Sequence, residues 1–427
     1  MKKIGSNIKR ILQSDLAKNS AKLLSANVIA QAIGLLVYPI LTRLYLPADF
    51  GLFNLFISIG SIVALVATAE YQYAIVLPKE EKTAVACFHV GFLIACCVTL
   101  LCALTIPFST SIAVAFKAPD LANWYFLLPF YVFFIALWTL LNQWYTRHKN
   151  FNNISCYQLS QSIVGSGAKI GFGLGRFLNG GLIVSSIIAP ITALIFSVSS
   201  GWKQVKKLVS IDLSSCKKAS KKYANFPKYS LPRVLINHLS CNLPILLLTP
   251  FFGLTEIGFF GMAITLAFRP INMISGSLYQ VFFQHTTDKV NQHISIKPFF
   301  SKFLKNTLLI IVPAFTLLYF ILPSLTDWLL GSEWRITGEY IQFMLPWLLL
   351  SAVIVPLGSL TDIFMKQSWW LTFEIIVIAM RLAGLGLGIF YGSIKIAIIG
   401  YCIASTIGYI IQIPWYKTLI TRYEKTL

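Results

Sequence analysis

Four basic side chains, Lys169, Arg233, Arg269 and Arg381, and two acidic ones, Glu70 and Glu374, stand inside stretches that are otherwise apolar. At the centre of a bilayer each such charge costs about 2.5–3.5 kcal/mol on insertion scales, so it must face a protein interior or a wet cavity, and a functional role is the default reading. Cations outnumber carboxylates there, which points to an anionic cargo. Phosphate or pyrophosphate suits them best, because guanidinium forks match its oxygens in a low-dielectric site. The four cations are the expected substrate-binding set, and Glu70 and Glu374 the expected carriers of a coupling ion, H+ or Na+. Asn27, Gln31, Gln158, His238 and Asn242 are expected to line the same path.

Structural roles compete with these. Arg233 lies about one turn from a span end, close enough to snorkel to the headgroups. Glu374 and Arg381 could hold helices together, although a gap of seven residues is long for direct pairing. Arg43 and Arg176 read as interfacial anchors. His238 titrates near physiological pH and could carry a proton, or it could be a hydrogen-bonded structural histidine.

Helical geometry groups the candidates. Gln158, Lys169 and Arg176 are spaced so that, at about 100° per residue, they share one face, which Gln161, Ser162 and Gly165 broaden. Gln367, Glu374 and Arg381 step by seven and share another. Polar faces on matching helices predict a hydrated cleft between two bundles, and Pro270 after Arg269 predicts a broken helix that adds free carbonyls to it.

The elements that must position these residues are membrane spans. Of 427 residues 56% are hydrophobic and only 12% charged, against roughly 25% charged in soluble domains. Apolar runs of about 20 residues recur throughout, each able to cross the hydrocarbon core. They are continuous rather than alternating, so helices are expected, not barrel strands. The spans fall near 20–44, 51–76, 83–107, 121–145, 153–177, 180–202, 229–252, 255–280, 301–324, 338–363, 367–391 and 393–416. The stretch Met1–Lys22 is basic and polar for too long to be a cleavable signal, so the first span is expected to be retained.

The formal charge of +20 is spread over short loops, which excludes a nucleic-acid surface and fits a cationic band beside anionic lipid. Most of the eight cysteines lie in apolar runs with no zinc or redox spacing, so no metal or organic cofactor is expected. An even number of spans puts both termini on one side. That side collects twenty-six basic residues and the other five, so both termini are expected in the cytoplasm.

The sequence is expected to divide into a six-helix bundle over 1–205, a basic cytoplasmic linker over 206–228 and a second six-helix bundle over 229–427. Two echoes support a duplication. Asp49-Phe-Gly-Leu-Phe precedes Glu256-Ile-Gly-Phe-Phe by 207 positions, and Lys169-Ile-Gly-Phe-Gly-Leu-Gly has a counterpart in Arg381-Leu-Ala-Gly-Leu-Gly-Leu-Gly. Six spans per half would make the repeat parallel. The expected fold class is an all-α polytopic membrane protein of about twelve helices in two bundles.

Several stretches resemble Wzx-type polysaccharide flippases, of the multidrug, oligosaccharidyl-lipid and polysaccharide exporter superfamily. They are Pro39-Ile-Leu-Thr-Arg-Leu-Tyr-Leu-Pro-Ala-Asp-Phe-Gly-Leu-Phe, Glu70-Tyr-Gln-Tyr-Ala-Ile-Val-Leu-Pro, Phe226-Pro-Lys-Tyr-Ser-Leu-Pro, Glu256-Ile-Gly-Phe-Phe and Leu330-Gly-Ser-Glu-Trp. The resemblance implies a flippase, not an enzyme, that moves undecaprenyl-pyrophosphate-linked oligosaccharide repeat units across the bacterial inner membrane by alternating access. The units would serve O-antigen (lipopolysaccharide), capsule or exopolysaccharide assembly. It also implies membrane lipids, a polysaccharide polymerase and chain-length proteins as partners. One alternative is a multidrug and toxin exporter, whose commonly cationic cargo would call for more carboxylates. The other is a membrane polysaccharide polymerase, which would carry long external loops where this chain has short ones.

Overall fold

The computed structural model describes residues 15–210, 212–364, 366–425 and 427, and no strand occurs among them. The long helices are α1 (Asp15–Leu36), α2 (Pro47–Val66), α3 (Glu81–Ala103), α4 (Leu128–Arg147), α5 (Phe151–Leu174) and α6 (Leu178–Ser200). A shorter α7 (Leu213–Lys222) follows, then α8 (Leu231–Asn291), α9 (Lys297–Leu330), α10 (Arg335–Leu357), α11 (Gln367–Phe390) and α12 (Ile394–Glu424). Proline opens α2, α4 and α9, where its missing N–H would be unbonded in any case. Polar side chains cap others. Asp49 accepts from the Leu46 N–H at 2.9 Å, Asn150 from that of Asn153 at 3.3 Å and Asp212 from that of Ser214 at 3.0 Å.

Among the described residues, ten stretches are long and apolar enough to cross a bilayer. One of them, Phe226–Asn291, is far too long for a single crossing. It divides at Gly253, whose φ of 79° and ψ of 173° lie outside helical geometry and favour glycine. The 24 residues of α5 add a further span whose hydropathy is depressed by Gln158, Gln161 and Lys169. The described residues thus form twelve membrane spans. The fold is an all-α, polytopic membrane architecture.

Two expectations about helix breaks are corrected. The second span was expected to run over 51–76, but α2 stops at Val66, and Ala69 and Glu70 take left-handed φ values of 44° and 64° before a short helix, Tyr71–Ala74. The break expected at Pro270 does not occur: Gly253 is the non-helical residue inside α8. Pro270 has no N–H to give the Leu266 carbonyl, yet the residues around it stay helical.

Contacts divide the chain between Leu246 and Leu247 into two compact units. In the first, Ile75, Cys87, Phe88, Leu140, Trp144 and Tyr157 build a core among α3, α4, α5 and the short helix after the break. The basic stretch between α6 and α8 packs on that core. Cys216 and Ala219 of α7 are buried, His89 Nε2 lies 2.8 Å from the Leu208 carbonyl, and the Tyr71 hydroxyl donates to the Ser220 carbonyl at 3.0 Å. Burial pushes the Cys216 thiol up, and the Ser215 hydroxyl holds the exposed Asp212 carboxyl below the usual carboxylate range.

In the second unit α10 is the inner helix, with 67% of its apolar window buried against 11% for α9. Leu309, Ile310, Leu317 and Phe320 of α9 are exposed, as befits side chains that face lipid. Helices α11 and α12 pack closely at Gly384 and Gly400, and at Gly388 against Ala397. A β-carbon on Gly384 would lie 2.5 Å from the Gly400 carbonyl carbon, so the backbones touch without intervening side chains.

Candidate functional site

Arg381 sits on α11 and is 8% exposed. Its Nε donates to Ser405 Oγ at 2.9 Å, and that hydroxyl in turn donates to the Tyr401 carbonyl at 2.8 Å. Its Nη1 lies 3.7 Å from Glu374 Oε1. The guanidinium carbon is 5.1 Å from the Tyr401 ring centroid and 5.7 Å from that of Trp347, within cation–π range of both. The direct pairing judged too long from sequence is present: two turns separate the α-carbons, and the two long side chains close the gap. Arg381 is therefore a paired cation in an aromatic box. Gln367, placed on the same face by its spacing, has a side chain outside the described residues.

Lys169 occupies the corresponding place on α5 and is half-buried. Its ammonium lies 5.0 Å from the Phe53 ring centroid, and its carbonyl accepts from the Tyr45 hydroxyl at 2.7 Å. Arg176 does not continue this face. Helix α5 ends at Leu174, and Arg176 follows in a left-handed turn with φ 57°. Ser162, from the same stripe, donates to the Ala30 carbonyl at 2.7 Å and so ties α5 to α1. Close by in sequence, Gln31 Nε2 is 3.5 Å from Asn27 Oδ1. Gln158 Oε1 is buried without a hydrogen-bond partner.

Glu70 is 2% exposed. Gln72 Nε2 donates to its Oε1 at 3.0 Å and Ser230 Oγ to its Oε2 at 3.1 Å. Tyr73 lies within electrostatic range of both Glu70 and the exposed Arg233. The first unit therefore groups Glu70 with Arg233, two residues expected in separate roles. His238 and Asn242 form a pair one turn apart: the Asn242 amide is 3.0 Å from His238 Nδ1 and 2.9 Å from its carbonyl. Arg269 is half-buried on α8, next to Phe268, whose ring meets Trp347 edge-on at 4.8 Å.

Residues 40–337 match a family described as polysaccharide biosynthesis protein. The chain belongs to this family. No curated protein matches it by sequence. Among solved structures, this polysaccharide biosynthesis protein shares its fold with a multidrug-resistance MATE-family transporter of the MOP superfamily, at 13% identity and a TM-score of 0.73. That likeness covers 95% of this chain and 99% of the transporter. It is also similar to the lipid II flippase MurJ, at 12% identity and a TM-score of 0.71, over 94% of this chain and 89% of that one. A mutant MATE protein matches at 14% identity and a TM-score of 0.57, over 97% and 98% of the two chains.

Sequence reasoning missed the groups that hold these charges in the polysaccharide biosynthesis protein. Trp347, Tyr401 and Ser405 lie in apolar runs where aromatic and small polar residues read as packing, and no local signal sets them apart. Gln72 and Ser230 were within reach, because both belong to the stretches singled out by their resemblance to flippases.

Proposed function

We propose that this protein is a flippase that carries undecaprenyl-pyrophosphate-linked oligosaccharide repeat units across the bacterial inner membrane, for O-antigen, capsule or exopolysaccharide assembly. The observation that carries this reading is the combination of a polysaccharide biosynthesis family with a twelve-span fold shared with transporters. Both termini face the cytoplasm, and a polymerase and chain-length proteins act on the delivered units. Transport proceeds by alternating access, driven by H+ or Na+.

Lys169, Arg233, Arg269 and Arg381 supply positive charge to the pyrophosphate as it crosses, and Asn27, Gln31, Gln158, His238 and Asn242 offer polar contacts to the sugars. Glu374 links ion and substrate. While ionised it occupies Arg381, and a proton on it frees the guanidinium to exchange its carboxylate for a phosphate oxygen.

The test is transport in proteoliposomes of a fluorescent undecaprenyl-pyrophosphate oligosaccharide, with imposed pH and sodium gradients. Wild-type protein should flip the lipid, and Arg269→Ala and Arg381→Ala should each slow it. Failure to flip this lipid together with extrusion of a cationic dye would replace the reading with that of a drug exporter.

A further inference from the structure

Glu70 combines three features that seldom meet by chance in a membrane helix. It is buried, it stands on left-handed backbone with φ 64° beside a second such residue, Ala69, and one of its two donors comes from a separate element, the turn that leads into α8. Left-handed non-glycine residues cost of order 1–3 kcal/mol each and persist where the surroundings impose them. The donor, Ser230, closes a π-helical turn, Phe226–Ser230, that runs directly into α8. Such turns mark sites where a helix can change register.

The second observation is Gln72. It is 5% exposed, it gives its amide N–H to Glu70, and its own Oε1 is buried with no hydrogen-bond partner. A carboxylate beside an unanswered carbonyl oxygen is short of positive charge. One carboxylate among neutral oxygens matches a single positive charge, and hard monovalent cations take oxygen ligands. A proton would serve equally. Once protonated, the carboxyl gains a donor, and a half-turn of the Gln72 amide presents Oε1 to receive it.

We infer that Glu70, Gln72 and Ser230 form a monovalent-cation-operated latch on the start of α8. With the site empty, the ionised carboxylate accepts from Ser230 in a charge-assisted bond and holds the turn in place. A proton removes that charge and loosens Ser230; a sodium ion bound between Glu70 and Gln72 Oε1 draws the same oxygens inward and tightens the turn. The surrounding charged and titratable groups are few. Tyr73 lies in electrostatic range of Glu70 and of Arg233, and Lys228 on the turn has its ammonium over Tyr229. Cys87 on α3 is buried, and Arg147 on α4 is engaged with the carbonyls of Ile75, Val76, Pro78 and Lys79. The inference rests on the ion-driven reading above and assigns its first-unit ion site.

The test is hydrogen–deuterium exchange of the purified protein in nanodiscs, followed on the peptide from Phe226 to Ile236 and corrected for intrinsic rates. Lowering the pH from about 7 to about 3 crosses the ordinary carboxylate range and should speed exchange about tenfold, the loss of one charge-assisted bond. If Na+ is the occupant, replacing choline by Na+ at fixed pH should slow exchange instead. Glu70→Gln should hold the fast rate under all conditions, and Ser230→Ala, which keeps the carboxylate, should do the same.

A wild-type peptide indifferent to both ions, or a Glu70→Gln protein that still responds, overturns the latch. The readout needs no substrate, so the two ideas fail separately. A responsive latch without flipping would discard the flippase, and ion-driven flipping with an inert peptide would discard the latch.

Discussion

Helices α5 and α11 occupy matching positions in the two halves of the sequence and carry matching basic residues, yet they hold them differently. Arg381 of α11 is enclosed by Trp347, Tyr401, Ser405 and the Glu374 carboxylate. Lys169 of α5 is half-buried, with its ammonium 5.0 Å from the Phe53 ring centroid. Their glycines differ in what they meet: Gly384 of α11 lies against the Gly400 backbone while Gly386 faces open space, and on α5 Gly173 lies against Tyr45 while Gly167 and Gly171 face open space. A matching position in the sequence therefore does not fix how a cation is held. A buried guanidinium with its own counter-ion is part of the framework until something displaces the carboxylate, whereas an ammonium on a four-carbon stem can change its contacts with less rearrangement.

The strongest way to break this comparison is Arg381→Ala. It leaves the half-buried Glu374 carboxylate without its counter-ion and should cost about 2–4 kcal/mol of stability, read as a lower unfolding temperature in mild detergent. Lys169→Ala should stay within about 1 kcal/mol by the same measurement. Equal losses would show that both cations are framework.

Transport sharpens the contrast from the other side. Lys169→Gln removes a charged contact with the pyrophosphate that is worth about 1.5–3 kcal/mol, so flipping should fall roughly 10- to 100-fold with the unfolding temperature unchanged. A normal rate would take Lys169 off the substrate's route. Packing gives a third comparison. Gly384→Val should cost about 1–3 kcal/mol by forcing α11 from α12, whereas Gly167→Ala should be neutral or add up to about 1 kcal/mol through helix propensity. Two similar melting curves would mean that the two helices pack alike. The smallest effect is expected of Tyr45→Phe, which deletes the hydroxyl bond to the Lys169 carbonyl and should cost about 0.5–1.5 kcal/mol.

The spans were legible because lipid imposes one simple rule on long runs of side chains, and even polar α5 was found from its length and flanks. Helix breaks were less legible. The sequence around Ala69 and Glu70 contains neither glycine nor proline, so the left-handed turn has no local cause and is imposed by the packing of Tyr71, Ala74 and Ile75 into the first-unit core. Pro270 carried the familiar signal but no break followed, because a helix can forgo one hydrogen bond and keep helical φ and ψ around it. Periodicity put Glu374 and Arg381 on one face, and their pairing depended on side-chain reach. The aromatic box around Arg381 comes from α10 and α12, far away in the sequence, and only the tertiary structure assembles it.

The bare contact at Gly384 and Gly400 limits how this half of the protein can deform. Two backbones pressed together have no layer of side chains that could repack during sliding, so α11 and α12 must travel as one rigid leaf. Any bending in that unit is left to helices with slack around them. Helix α9, mostly exposed along its apolar length and short of backbone bonds at Pro313 and Pro323, is the element suited to absorb it.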